Sequence, residues 1–462
     1  MRKVLMRAVM SPLGDNKAID VITKNLIGDN AGNMIFAQSV FRTVMTEDTV
    51  IDTIPTNHSF SNEEIEQINR EYDCFLIPLA NAFRISFIRE LEFLTDLVKG
   101  LKIPCIITGV GIQAKIGTDL STPFKFDEAT KNFVNAVLEK SSMVGVRGQI
   151  TADYLKRLGF IEEKHYTVIG CPSMFMYGKD LPKARVNGLT KNSSVSINFK
   201  IDLPQTLHDL LERSRKEVPD FHFIPQSIHE LRLLYAGVPY PVKKHKVIPE
   251  NYPLSLSNEI YRTDKILGFT NVESWLQFLR SVDFSYGSRI HGNIAAVLAG
   301  APCYIFAYDA RIYELADYHN IPFMKAMDIN DGTNILDIYE KTDFSSVQRG
   351  HEERFMHFVD FLDTNGIQHI YDKNGDAPAI PFVEAMKAIT VEPAIHSFST
   401  ISIEEQEERL RLYHNFEARR YNTIKKELEK ARTPDQTPDQ TPEPTPEPIV
   451  EKGRGWKRFF QK

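Results

Sequence analysis

The sequence predicts an α/β protein with two doubly wound, Rossmann-like domains facing a cleft. Three observations predict it. Short β-rich runs alternate with amphipathic helical segments from about residue 1 to residue 325, the pattern of parallel sheets covered by helices. The alternation pauses at the polar stretch 177–194, which carries proline, glycine and asparagine, and then resumes. In both halves, arginines, glycines and a histidine fall where strands end, the edge at which such sheets hold ligands.

In the first half, expected at 1–183, the candidate strands are VLMRAV, DCFLIPL, PCIITGVG, MVGVR and YTVIG. Between them, FDEATKNFVNAVLEK and QITADYLKRLGF carry apolar residues at helical spacing. In the second half, expected at 190–345, the strands are VSINF, FHFIPQS, KILGFT, VDFSYGS and PCYIFAY. Residues 346–432 read as a helical extension ending in a long charged helix over 402–430, whose alternating charges suit a solvated surface. A Thr/Pro-rich spacer follows at 433–448, where frequent prolines forbid a helix. The tail at 449–462 is basic and aromatic.

Composition narrows the function. A chain of 462 residues with 42% hydrophobic and 25% charged residues is a soluble globular type too long for one core. Its net charge of −6 offers nothing to nucleic acid, so an anionic substrate would need a local pocket. Four widely spaced cysteines, Cys74, Cys105, Cys171 and Cys303, form neither a zinc pattern nor a disulfide framework, and read as small buried hydrophobes. There is no secretory h-region and no apolar run of about 20 residues. The expected location is a reducing cytoplasm.

The densest chemistry lies in YGSRIHGNIAAVLAGAP, 286–302. A strand ending at Gly287 and a helix opening just after His291 would put Ser288, Arg289, His291 and Gly292 at the ligand crevice. Helix N–H groups and dipole favour an anion there, and Arg289 supplies a planar fork for carboxylate or phosphate. His291 exchanges protons near neutrality, and Gly292 would let a ligand approach the backbone. The plain alternative is a satisfied histidine and an arginine paired with an acid. A second turn, NLIGDNAGN, sets Gly28, Asp29, Asn30 and Asn33 before an apolar helix, where they would hold a phosphate or a sugar. Asp29 serves equally as a turn former or cap. Arg147 and Gly148 repeat the logic at another strand end, as do Gly109 and Gly111. No Walker motif or full G-x-G-x-x-G is present, and no carboxylate or histidine cluster has metal-ligand spacing.

Taken in order, these blocks resemble the polysaccharide pyruvyl transferase family over roughly residues 20 to 325. NLIGDNAGN is similar to its N-x-G-D turn, ITGVGIQ to its glycine strand end, and VGVRGQITADYLKRLG to its V-R-D block. YGSRIHGNIAAVLAGAP resembles its S-R-x-H-G signature, and AYDARIYELADYHNIP its Y-D-x-K-x-x-E segment. The chain departs from the pattern at Gly148, where the aspartate of V-R-D is expected, at Cys171-Pro172, where many members carry an aspartate, and at Arg311, which replaces a lysine.

The resemblance implies a glycosyltransferase-B-like pair of domains and phosphoenolpyruvate as donor substrate, with no cofactor and no metal. The pyruvyl unit would join two hydroxyls of one sugar as a ketal, on a glycan or lipid-linked acceptor of capsule or exopolysaccharide assembly, and phosphate would leave. Arg289 would bind the donor, with Arg147 as a second clamp. His291 would donate a proton or neutralise developing charge. Asp29 would activate an acceptor hydroxyl, with Asn30 and Asn33 orienting the sugar. Two readings compete: a sugar-nucleotide glycosyltransferase on the same fold, and an inactive glycan-binding protein. In the tail, Arg454, Lys457, Arg458 and Lys462 interleave with Trp456, Phe459 and Phe460, a composition suited to weak, reversible docking on an anionic membrane face. A plain chain terminus or a contact with a partner protein accounts for it equally.

Overall fold

The structure, a computed structural model, describes residues 1–432 other than 9, 56–57, 242–248 and 250–251. The expectation for the membrane-docking tail therefore lies outside the described residues. Residues 1–413 form one compact unit, and residues from 414 onward form a second, which among the described residues is the end of the helix Ile403–Arg432.

Four parallel strands make the first sheet: β1 (Arg2–Arg7), β2 (Thr49–Ile54), β3 (Cys74–Pro78) and β4 (Cys105–Thr108), in the order β2-β1-β3-β4. A parallel pair, β5 (Val144–Val146) and β6 (Tyr166–Val168), continues it through a Val110–Val146 bridge. Alternation along the strands buries both faces. Val4, Met6, Cys74 and Leu76 enter one core, while Leu5, Phe75, Ile77 and Cys105 enter the other.

The second sheet holds β7 (Val195–Asn198), β8 (Phe221–Phe223), β9 (Phe284–Gly287), β10 (Cys303–Ala307) and β11 (Phe323–Lys325). All its pairings are parallel and the order is β11-β10-β9-β7-β8. The expected pair of parallel α/β layers is thus present.

The halves are not independent. The first sheet's outer core, built on the helix Gly32–Val44, is continuous with the core of the second sheet. The extension returns to the first half: Phe358, in the helix His351–Thr364, stacks on Phe175 with ring centroids 5.1 Å apart. The Asn365 side chain accepts from the Ser142 and Met143 N–H groups at 3.1 and 3.2 Å.

Three expectations need correction. KILGFT is not a strand. Its Ile266 bridges Phe223 and its Gly268 bridges Ile395, one partner on each side, and Gly268 sits where a Cβ would come within 2.7 Å of Leu234. The edge strand β2 escaped notice because Asp52 interrupts its half-exposed TVIDTI run. The helix after β9 opens at Ile290, not after His291, so the imidazole stands in its first turn.

Candidate anion-binding cleft

Both sheets reverse strand order between their first and third strands, β1/β3 and β7/β9, and ligand crevices open at such points. Both reversals open on one cleft of about 600 Å³, lined by Arg7, Ala8 and Pro78 from one side and Ser288, Arg289 and His291 from the other. It also gathers Gly28, Asp29, Asn30, Asn33 and Arg147, so the polar and charged residues singled out in the sequence converge, whereas Gly109, Gly111, Gly148 and Gly292 do not line it.

The turn after β9 is organised by Asn198, at the end of β7. Its backbone oxygen accepts from the Ser288 N–H at 2.8 Å and its side-chain oxygen from the Arg289 N–H at 3.0 Å. Asn293 then donates to that side-chain oxygen at 3.2 Å and to the Gly287 carbonyl at 3.3 Å. The chain comes so close that a Cβ on Gly287, at φ +154°, would lie 2.0 Å from the Asn198 oxygen. Gly292 has a different task from the one expected. Its missing side chain makes room for Gln226 and Asn198, which a Cβ would meet at 2.5 and 3.0 Å, so it packs the helix onto β7 rather than admitting a ligand. The Ser288 hydroxyl is buried without a partner.

The N-terminal turn faces it. Asp29 adopts a left-handed φ of +69° and exchanges hydrogen bonds with Asn25, at 2.8 Å to its carboxylate and 2.9 Å from its N–H. It is therefore a turn former that also lines the cleft. Asn33 donates to the Ile27 and Gly28 carbonyls, and Asn30 accepts from the Gly32 N–H at 3.1 Å. Asn30 also bridges Ser227, and the Ala31 N–H donates to the Gln226 carbonyl at 2.8 Å, tying the turn to the second half. Gly32 leaves the space that His291 fills: a Cβ there would lie 2.7 Å from the His291 Cβ.

His291 is nearly buried, with its Nε2 3.8 Å from the Cys171 sulfur and its ring 6.3 Å from that of Phe36. Burial, then the charges of Arg147 and Arg311, hold its pKa well below the ordinary histidine value. The imidazole is therefore neutral near pH 7. Arg147 is wholly buried over the Phe36 ring; its Nε donates to the Gly109 carbonyl at 2.5 Å, while one terminal nitrogen has no partner. Burial pushes its pKa down to about 10. Arg289 approaches Glu230 at 3.5 Å and donates to the Phe199 carbonyl at 3.4 Å, so part of its charge is already met.

Sequence reasoning passed over Arg7, Arg84 and Lys200, which also line the cleft, because each stands alone in its segment without a motif. With Arg147, Arg289 and Arg311 they make six cationic side chains against the three lining carboxylates Asp29, Glu90 and Asp309. The cleft is locally positive in a chain of net negative charge. Among the described residues no group of three or more His, Cys, Asp or Glu side chains is placed to hold a metal ion.

Gly148 now has a physical reason. A Cβ there would meet the Glu314 side chain at 2.8 Å, and Glu314 accepts from the Thr151 N–H and hydroxyl at 2.9 and 2.8 Å, capping the helix Gln149–Arg157 from the other half. Burial raises Glu314 to about 7. Burial lowers His351 to about 4, and holds His319 well below the ordinary value. Unfolded histidines take up protons below about pH 6.5 while these stay neutral, so stability falls with pH by about 1.4 kcal/mol per unit for His351 between 6.5 and 4. His291 and His319 act in the same direction. Glu314, which binds its proton more readily when folded, opposes them between about 4.5 and 7. Three histidines outweigh one carboxyl, so Tm should drop steadily from pH 6.5 to 5; an unchanged or rising Tm would contradict this assignment.

Two parallel α/β layers thus border one cleft whose charged lining is mainly cationic. A family model described as polysaccharide pyruvyl transferase matches residues 15–310, more than half of the chain. The chain belongs to that family and is a transferase. Among solved structures, it is similar to a functionally uncharacterised protein of Klebsiella pneumoniae, at 13% identity and a TM-score of 0.38, covering 70% of this chain and 93% of that one. It is also similar to a UDP-GlcNAc 2-epimerase of Methanocaldococcus jannaschii in complex with UDP-GlcNAc and UDP, at 12% identity and a TM-score of 0.39, covering 79% and 99%. Both are remote likenesses. No curated protein matches the chain. Among the described residues, no helix is long and apolar enough to cross a membrane.

Proposed function

We propose that the chain transfers the pyruvyl unit of phosphoenolpyruvate to two hydroxyls of one sugar in a polysaccharide or its precursor, forming a ketal and releasing phosphate. The observation that carries this reading is the convergence of Arg147, Arg289 and His291 on one positive cleft at the β7/β9 reversal. Phosphoenolpyruvate is small and densely anionic, and a carboxylate and a phosphate each suit a guanidinium fork. The cleft volume of about 600 Å³ falls within the range of small-molecule sites and leaves space for a sugar beside the donor.

In this reading, the enol methylene gains a proton and becomes the methyl group, while two hydroxyl oxygens bond to the adjacent carbon. The bond from that carbon to the phosphate oxygen breaks. Two hydroxyl protons are released overall, which balances the proton on the methyl group and the one taken by phosphate. His291, held neutral by its burial, would accept a proton from a hydroxyl; a bound anion beside it would raise its pKa and let it return that proton. Asp29 lies across the cleft as a second base for the acceptor. No cofactor or metal enters the scheme.

Mixing the protein with phosphoenolpyruvate and a glycan acceptor fraction should release inorganic phosphate in step with a new quaternary ketal carbon. Release of the nucleotide from a nucleotide sugar, with no phosphate released from phosphoenolpyruvate, would instead support a glycosyltransferase on the same fold.

A further inference from the structure

Arg84 and Arg311 come from opposite halves of the chain and meet on one neutral oxygen. With the Asn81 amide oriented by its neighbours, its oxygen accepts from an Arg84 terminal nitrogen at 2.8 Å and from an Arg311 terminal nitrogen at 3.2 Å. Arg84 has no carboxylate partner among the described residues; it lies over the Phe87 ring at 5.3 Å. Arg311 has Asp309 at 3.3 Å. The Nε atoms of both arginines are buried without a partner. Burial, then the charge of Arg311, pushes the Arg84 pKa down, so the two guanidinium charges repel. An anion placed between them would remove that repulsion and use the idle N–H groups.

Position sets Asn81 and Arg84 apart from the donor turn, while Arg311, whose charge also acts on Arg147 and His291, stands between the two. Asn81 and Arg84 follow β3, at the strand reversal of the first sheet, whereas Ser288 and Arg289 stand at the reversal of the second. We infer that Arg84, Arg311 and Asn81 form a second oxyanion subsite, which binds a phosphate or carboxylate carried by the acceptor. The inference rests on the donor reading above for what occupies the other subsite.

The test is calorimetric titration of inorganic phosphate into the full chain already saturated with phosphoenolpyruvate. Saturable phosphate binding is expected. Arg84→Gln should weaken it at least tenfold while changing phosphoenolpyruvate affinity less than threefold; Arg311→Lys, which keeps the charge beside Asp309 but loses the fork, should also weaken phosphate binding. A methyl glucuronide arm tells a carboxylate-bearing acceptor from a phosphate-linked one. No phosphate or glucuronide binding to the saturated protein, or an equal loss of phosphoenolpyruvate affinity in Arg84→Gln, would overturn the subsite. If phosphoenolpyruvate itself fails to bind, the donor reading falls. Arg84-dependent phosphate binding to the unliganded protein would then still establish the subsite.

Discussion

His291→Gln should turn over about 10²- to 10⁴-fold more slowly than the wild type while keeping its circular dichroism spectrum and most of its stability. The residue is nearly buried, yet its contact with Cys171 is a weak one at 3.8 Å and among the described residues no carboxylate is paired with it, so its replacement orphans no charge there. The imidazole sits in the first turn of the helix Ile290–Leu298, in space that Gly32 leaves open. Because its pKa is held well below the ordinary value, the acid limb of kcat/KM that reports it should lie well under pH 6.5. A His291→Gln protein with wild-type turnover would remove His291 from the chemistry, and one that fails to fold would make it a structural residue.

The largest stability effect is expected at Gly287. An alanine there must hold φ near +154° and put its Cβ 2.0 Å from the Asn198 oxygen, an overlap with backbone rather than with a movable side chain. Unfolding free energy should fall by more than about 3 kcal/mol, read from the urea midpoint. Relief would come only by parting β7 from β9, which also withdraws the Asn198 contacts that fix Ser288 and Arg289. Gly292→Ala is the control: its Cβ would meet the movable end of Gln226 at 2.5 Å, so a milder loss is expected. Equal effects at the two glycines would contradict this account of the turn.

The parallel layers and the convergence of Arg147, Arg289, His291 and the Asp29 turn were legible because strand-end glycines and charged residues stand out against apolar runs. The supporting polar framework was not. Asn198 ends a strand reading VSIN and gives no local sign that it will organise a turn some ninety residues away. Arg84 and Arg311 become neighbours only through the docking of the two halves, which no periodicity reveals. Gly148 looked like a lost aspartate until Glu314 was seen filling its place. Gly292 was assigned to the ligand because its neighbours in the motif face the cleft, whereas its own Cα faces Gln226 and Asn198.

The central claim, that this cleft holds phosphoenolpyruvate through Arg289, is tested most directly by calorimetric titration of that compound into the wild type and Arg289→Lys. Binding of one molecule per chain is expected in the wild type. In the variant, which keeps the charge but loses the fork, affinity should fall about tenfold or more. Absence of binding in the wild type, or the same affinity in both proteins, would contradict it.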